Sequence, residues 1–123
     1  MERGRQNRTI KGASMEIKQI SKEIHKNAIA HGWWDEERTF PELLCLVHSE
    51  VSEALEDYRN GLPIDKIVYG ENGKVNGIPS ELADIVIRVF DVCEHYGIDI
   101  EKVILEKHEF NKTRPYKHGG KVL

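Results

Sequence analysis

Glu50 and Glu53 in HSEVSEALEDY, and Glu81 and Asp84 in SELADIVIRVF, form two pairs of acids, each three residues apart. Both stretches read as helices, and a spacing of three puts the two carboxylates of a pair on one helical face. Two such faces brought together offer four hard oxygen ligands to one cation, with Mg²⁺ the best match and Mn²⁺ the next. That is the chemistry of a phosphate-handling site. Carboxylates gathered in this way repel unless a cation or basic side chains neutralise them. The competing expectation is therefore a structural ion-pair cluster, with Arg88 one turn from Asp84 as its base. A redox di-iron bundle also builds its centre from facing helices, but it needs Glu-x-x-His on two of them. Here position 53 is Glu and position 84 is Asp.

Four helices must position these acids. Helix one is predicted over about 14–31, with Ile17, Ile20, Ile24 and Ala28 on one stripe. Gly32 ends it, and Trp33 and Trp34 follow in a short connection. Helix two is predicted over about 40–60, opened by the Thr39/Glu42 capping box with Pro41 in its first turn and closed by Gly61. Leu43, Val47, Val51, Ala54 and Tyr58 share one arc, expected to be the core face. Glu50, Glu53 and Asp57 share the adjoining arc. Helix three, about 79–96, starts at Pro79 and Ser80, stops at Gly97 and is apolar nearly all round. Such a helix is expected to be buried. Its one polar stripe, Glu81, Asp84, Arg88, Asp91 and His95, must then face a wet cleft or find partners. Helix four, about 99–111, has Asp99 as its N-cap and Ile100, Val103 and Ile104 as its inner face. Lys107, Asn111 and Arg114 continue that face. Residues 61–79 form a long connection whose Asn72-Gly73 dipeptide predicts a small hairpin at about 64–77. The expected class is all-α, with antiparallel packing of helices two and three bringing the four acids together.

The bulk properties agree with one modest domain. The chain has 123 residues, 39% apolar and 32% charged, with a net charge of −3. That charge gives no global basic field, so no nucleic-acid partner is expected. No apolar run approaches membrane-spanning length and no secretory pattern follows the start, so a cytoplasmic location is expected. Residues 1–13 read as a flexible basic tail carrying Arg3, Arg5, Arg8 and Lys11, with Met15 an alternative start. Residues 14–118 read as a single helical domain and 119–123 as a flexible end. Cys45 and Cys93 are expected to be buried reduced thiols. The alternative is zinc held with His48 and His95, but the spacing of Cys93 and His95 splits those ligands across a helix.

SEVSEALE followed by ELAD resembles the helical nucleoside triphosphate pyrophosphohydrolases of the MazG-like superfamily, marked by EExxE followed by ExxD. His25, Trp34, Glu50, Glu53, Glu81, Asp84, Lys107 and Asn111 fall in the order and near-spacing of its dCTP pyrophosphatase branch. The ending NKTRPYKHGG is similar to the tails of MazG-like proteins, and the resemblance covers about 15–120. It implies a four-helix bundle-like MazG-type fold. It also implies Mg²⁺-dependent conversion of an NTP or dNTP to the monophosphate and pyrophosphate, by a homodimer or homotetramer. Glu50, Glu53, Glu81 and Asp84 would hold the metal, with Glu53 and Glu50 as the catalytic carboxylates. Lys107, Asn111, Arg114 and Tyr116 would contact phosphates or sugar. Trp34 would stack on the base with His25 beside it. Two departures bear on this. Ser49 replaces the leading acid of EExxE, which leaves the metal count open. Arg88 stands where the dCTP-specific branch is aromatic, which would put it on the substrate side and leaves the base preference open. The rival expectations are a non-catalytic helical interaction protein and a related phosphohydrolase acting on phosphoribosyl-ATP.

Overall fold

Local chemistry sets the helix ends. Thr39 Oγ1 accepts the backbone N–H of Glu42 at 3.3 Å and opens α2 (Phe40–Arg59), with Pro41 in the first turn. The Asp99 carboxylate accepts the N–H of Lys102 at 3.1 Å and opens α4 (Ile100–Asn111). Two further helices are α1 (Ile17–Ala30) and α3 (Ile78–His95). Helices α1, α2 and α3 all stop the same way. Gly32, Gly61 and Gly97 adopt positive φ, and the next residue's N–H reaches back to the carbonyl of Ala28, Asp57 and Cys93 respectively. The computed structural model describes residues 15–116; the tails expected at 1–13 and 119–123 lie outside the described residues.

The described residues form a mostly helical small domain of four helices with a short two-stranded antiparallel hairpin between α2 and α3. Helix α3 is central, with α2 packed on one flank and α1 on another. Both run antiparallel to it. Glu50 meets Arg88 while the later Glu53 meets the earlier Glu81. On the other flank, Ser21 Oγ donates to Glu94 Oε2 at 3.0 Å and His25 meets Asp91 at 2.6 Å. Helix α4 packs on α1, where the Lys18 N–H donates to Glu101 Oε1 at 3.1 Å. No described helix is long and apolar enough to cross a membrane.

The chain buries less than its pattern predicts. Leu43, Ile78 and Cys93 are its buried apolar residues among the described residues. Val51 and Tyr58, expected in the core, are 49% and 59% exposed. The α2 face that meets α3 lies about a quarter turn away and carries Leu43 and Glu50. The acids thus sit on the packing face rather than beside it. Phe40, Leu44, Val51, Leu55 and Tyr58 fall within about 40° of one line on α2, and each is exposed. Helix α3 is likewise not enclosed by its own chain, since Leu82, Val86 and Ile87 are exposed. Val103 and Ile104 of α4 form no inner face, being exposed as well. Cys93 is buried as expected, whereas Cys45 is exposed.

The expected hairpin forms within 64–77. Strand β1 (Val68–Tyr69) pairs with β2 (Val75–Asn76), with Val68 opposite Asn76 and Tyr69 opposite Val75. Asn72 and Gly73 take positive φ in the connecting turn, as their types favour. Gly77, at φ +98°, joins the hairpin to α3, and a Cβ there would lie 2.6 Å from the Lys66 carbonyl oxygen. Gly77→Ala is therefore expected to cost about 1–3 kcal/mol, read as a lower urea midpoint at unchanged m. A midpoint equal to wild type would show that this close approach relaxes freely.

Candidate metal and phosphate site

Antiparallel pairing of α2 and α3 brings the two acid pairs together. Ligand oxygens of Glu50, Glu53 and Glu81 all lie within 4.8 Å of one another. Glu50 is buried at 7% exposure, Glu81 is half-buried and Glu53 is exposed. Among the described residues, no other group of three or more histidine, cysteine or acidic ligands forms. The alternative zinc pairing through Cys45, His48, Cys93 and His95 thus brings no such group together. Asp84 stands just outside the trio on α3, and its charge raises the pKa of both Glu53 and Glu81.

The crowding shows in the titration of these carboxyls. Burial, a hydrogen bond with Glu53, and the charges of Glu53, Asp84 and Asp57 push Glu81 up to about 7. A hydrogen bond to Glu50 and the charge of Glu50 raise Glu53, against the opposing hydrogen bond with Glu81. Burial and then Glu50 raise Asp84, while Arg88 opposes. Glu81 Oε2 is buried without a hydrogen-bond partner among the described residues. A hard divalent cation would give that oxygen a partner and relieve the mutual repulsion, and an all-carboxylate donor set suits Mg²⁺ or Mn²⁺. The residues present fit such an ion.

A pH signature follows. The folded protein holds a proton on Glu81 between about pH 4.5, its unfolded value, and about 7. Folded-state proton binding exceeds that of the unfolded chain in this window, so this group makes stability fall as pH rises through it. Relative to Glu81→Gln, wild type is expected to lose thermal stability across that window in chelator, and Mg²⁺ is expected to cancel the loss. Parallel melting profiles of the two proteins in chelator would contradict the assignment.

Beside the acids lies a cleft of about 710 Å³ between α1 and α3. Glu23, Ile24, Asn27, Ala28 and His31 of α1 form one wall, Trp33 and Arg38 close an end, and Glu50, Asp84, Ile87, Arg88 and Asp91 form the other wall. The guanidinium carbon of Arg38 lies 3.8 Å from the Trp33 ring centroid and that of Arg88 lies 4.8 Å away. Arg38 Nε also donates to the Trp33 carbonyl at 3.1 Å.

The indole in the cleft is thus Trp33, not Trp34. Trp34 Nε1 donates to both oxygens of Asp91, at 3.0 and 3.2 Å, and its ring stacks on His95 at 3.9 Å. His25 Nδ1 meets Asp91 Oδ1 at 2.6 Å. His25 and Trp34 therefore serve a network around the buried Asp91 instead of lining the cleft. Lys107, Asn111, Arg114 and Tyr116 lie on or beyond α4 and also stay outside it. Sequence reasoning missed Trp33, Arg38, Asp91, Asn27 and His31 as site residues. The repeat of Glu23, Asn27 and His31 at spacing four was a readable signal for a polar helix face. Comparison with family models, curated proteins and solved structures found no match to this chain.

Proposed function

We propose that this chain is a Mg²⁺-dependent nucleoside triphosphate pyrophosphohydrolase of the MazG-like kind, cleaving between the α- and β-phosphates. One observation carries the reading: ligand oxygens of Glu50, Glu53 and Glu81, from two antiparallel helices, lie within 4.8 Å of one another, Glu81 keeps a buried oxygen without a partner among the described residues, and the group borders a cleft large enough for a nucleotide. Glu50, Glu53, Glu81 and Asp84 would hold the ion. When bound, the ion would neutralise charge on phosphate oxygens and lower the pKa of an attacking water. Glu53, the exposed member of the trio, would orient that water and take its proton. Ile24, Ala28, Ile87 and Trp33 offer the apolar surface for a base, and Arg38 and Arg88 the positive charge for phosphates.

The same reading includes a homo-oligomer. The uncovered stripe on α2 and the uncovered Val103 and Ile104 of α4 are surfaces for a second copy. One observation favours the rival interaction protein: the ion pair of Arg88 with Glu50 neutralises part of the cluster without metal. A panel of NTPs, dNTPs and phosphoribosyl-ATP, assayed with Mg²⁺ for pyrophosphate release, decides between them. Monophosphate and pyrophosphate in equal amounts from at least one triphosphate is the expected result. Inertness toward the whole panel would leave the interaction protein.

A further inference from the structure

Glu50 is the one buried member of the acidic group, and its carboxylate is already engaged. Arg88 Nε donates to its Oε1 at 2.7 Å, with the Glu50 side chain 10% exposed and that of Arg88 29% exposed. A buried carboxylate needs such a partner, because desolvated charge left alone is costly. Yet Glu50 is also the residue whose oxygens lie within 4.8 Å of those of Glu53 and Glu81. A divalent ion at that point would place two positive charges beside a guanidinium on the same carboxylate. Cations at such separation in a partly buried site repel strongly.

We infer that Arg88 is a resident stand-in for the cation: it holds Glu50 while the site is empty, releases it when the divalent ion arrives, and turns to the substrate's phosphate oxygens. Three observations support the exchange. Arg88 spends Nε on Glu50, and a guanidinium carries four further N–H donors. The residue lines the cleft that a nucleotide would enter. The Trp33 ring, 4.8 Å from its guanidinium carbon, gives the head an electron-rich surface to rest on once it leaves the carboxylate. The charge balance also closes, since the ion replaces Arg88 at Glu50 and the triphosphate supplies the anion that Arg88 has lost. Metal and triphosphate then assist each other through Arg88, because whichever binds first lowers the cost for the second.

This inference rests on the proposed metal site, and its test separates the two. The Arg88 Nε–H resonance, assigned by its loss in Arg88→Lys, is followed by NMR in the wild-type protein. Mg²⁺ is added first, then a non-hydrolysable α,β-methylene triphosphate. The expected result is that Mg²⁺ moves this resonance toward that of a solvated guanidinium and that the analogue moves it again. Amide shifts at Glu53 and Glu81 with an Arg88 Nε–H unmoved by either addition would overturn the exchange and leave the metal site standing. No Mg²⁺-dependent shift anywhere in the protein at millimolar concentration would overturn the site and the exchange together.

Discussion

Asp84→Asn is expected to lower kcat/KM by at least about 10³-fold, close to 4 kcal/mol of transition-state stabilisation, with helicity unchanged. The substitution is nearly isosteric and the side chain is half-buried, so packing on α3 changes little. What it removes is negative charge. Asp84 lines the cleft beside Glu50 and acts electrostatically on both Glu53 and Glu81. A neutral amide there weakens the hold on a divalent ion and lowers the pKa of the neighbouring carboxyls. Far-ultraviolet circular dichroism alongside pyrophosphate release checks both halves. Retained turnover in a folded variant would remove Asp84 from the metal shell.

The second large effect concerns assembly. Leu55→Asp is expected to convert the protein to monomers at micromolar concentration, weakening self-association by at least about 10²-fold. Leu55 is 58% exposed and lies toward the C-terminal end of the stripe it forms with Phe40, Leu44, Val51 and Tyr58. A contiguous exposed apolar stripe of this kind is a surface that a second copy would cover. In a two-fold interface the new charge enters twice. Sedimentation velocity reads the result. A wild-type protein that is itself monomeric, or a Leu55→Asp variant that assembles as wild type does, would show that the stripe is not the interface.

What was legible in the sequence was local. Thr39 and Asp99 cap as their side chains demand, and three glycines end helices because only they take positive φ there without strain. The acid spacing was equally readable, since three residues on a helix fix a shared face whatever the helix packs against. The inward face of α2 was not readable. An apolar stripe looks the same whether its own chain or another copy covers it, and here Val51 and Tyr58 belong to the uncovered face. Trp33 and Trp34 are neighbours in an irregular connection, where no periodicity tells one side from the other. Asp91 decides between them by taking the Trp34 N–H, which leaves Trp33 to the cleft. Asp91 itself passed for one more member of a polar stripe, because its role depends on His25 and Trp34 arriving from another helix and a loop. Helix α4 misled for a related reason: its apolar positions promised an inner face, but α4 packs on α1 with Val103 and Ile104 left exposed.

Calorimetric titration with Mg²⁺, in two buffers of different protonation enthalpy, tests the cation site most directly. Near the pH at which Glu81 is half-titrated, about 7, wild type is expected to bind the ion and release protons as it does so. Glu81→Gln is expected to bind at least about tenfold more weakly and without that proton release. Absence of Mg²⁺ binding by wild type, or identical binding by Glu81→Gln, would contradict a cation site at these carboxylates.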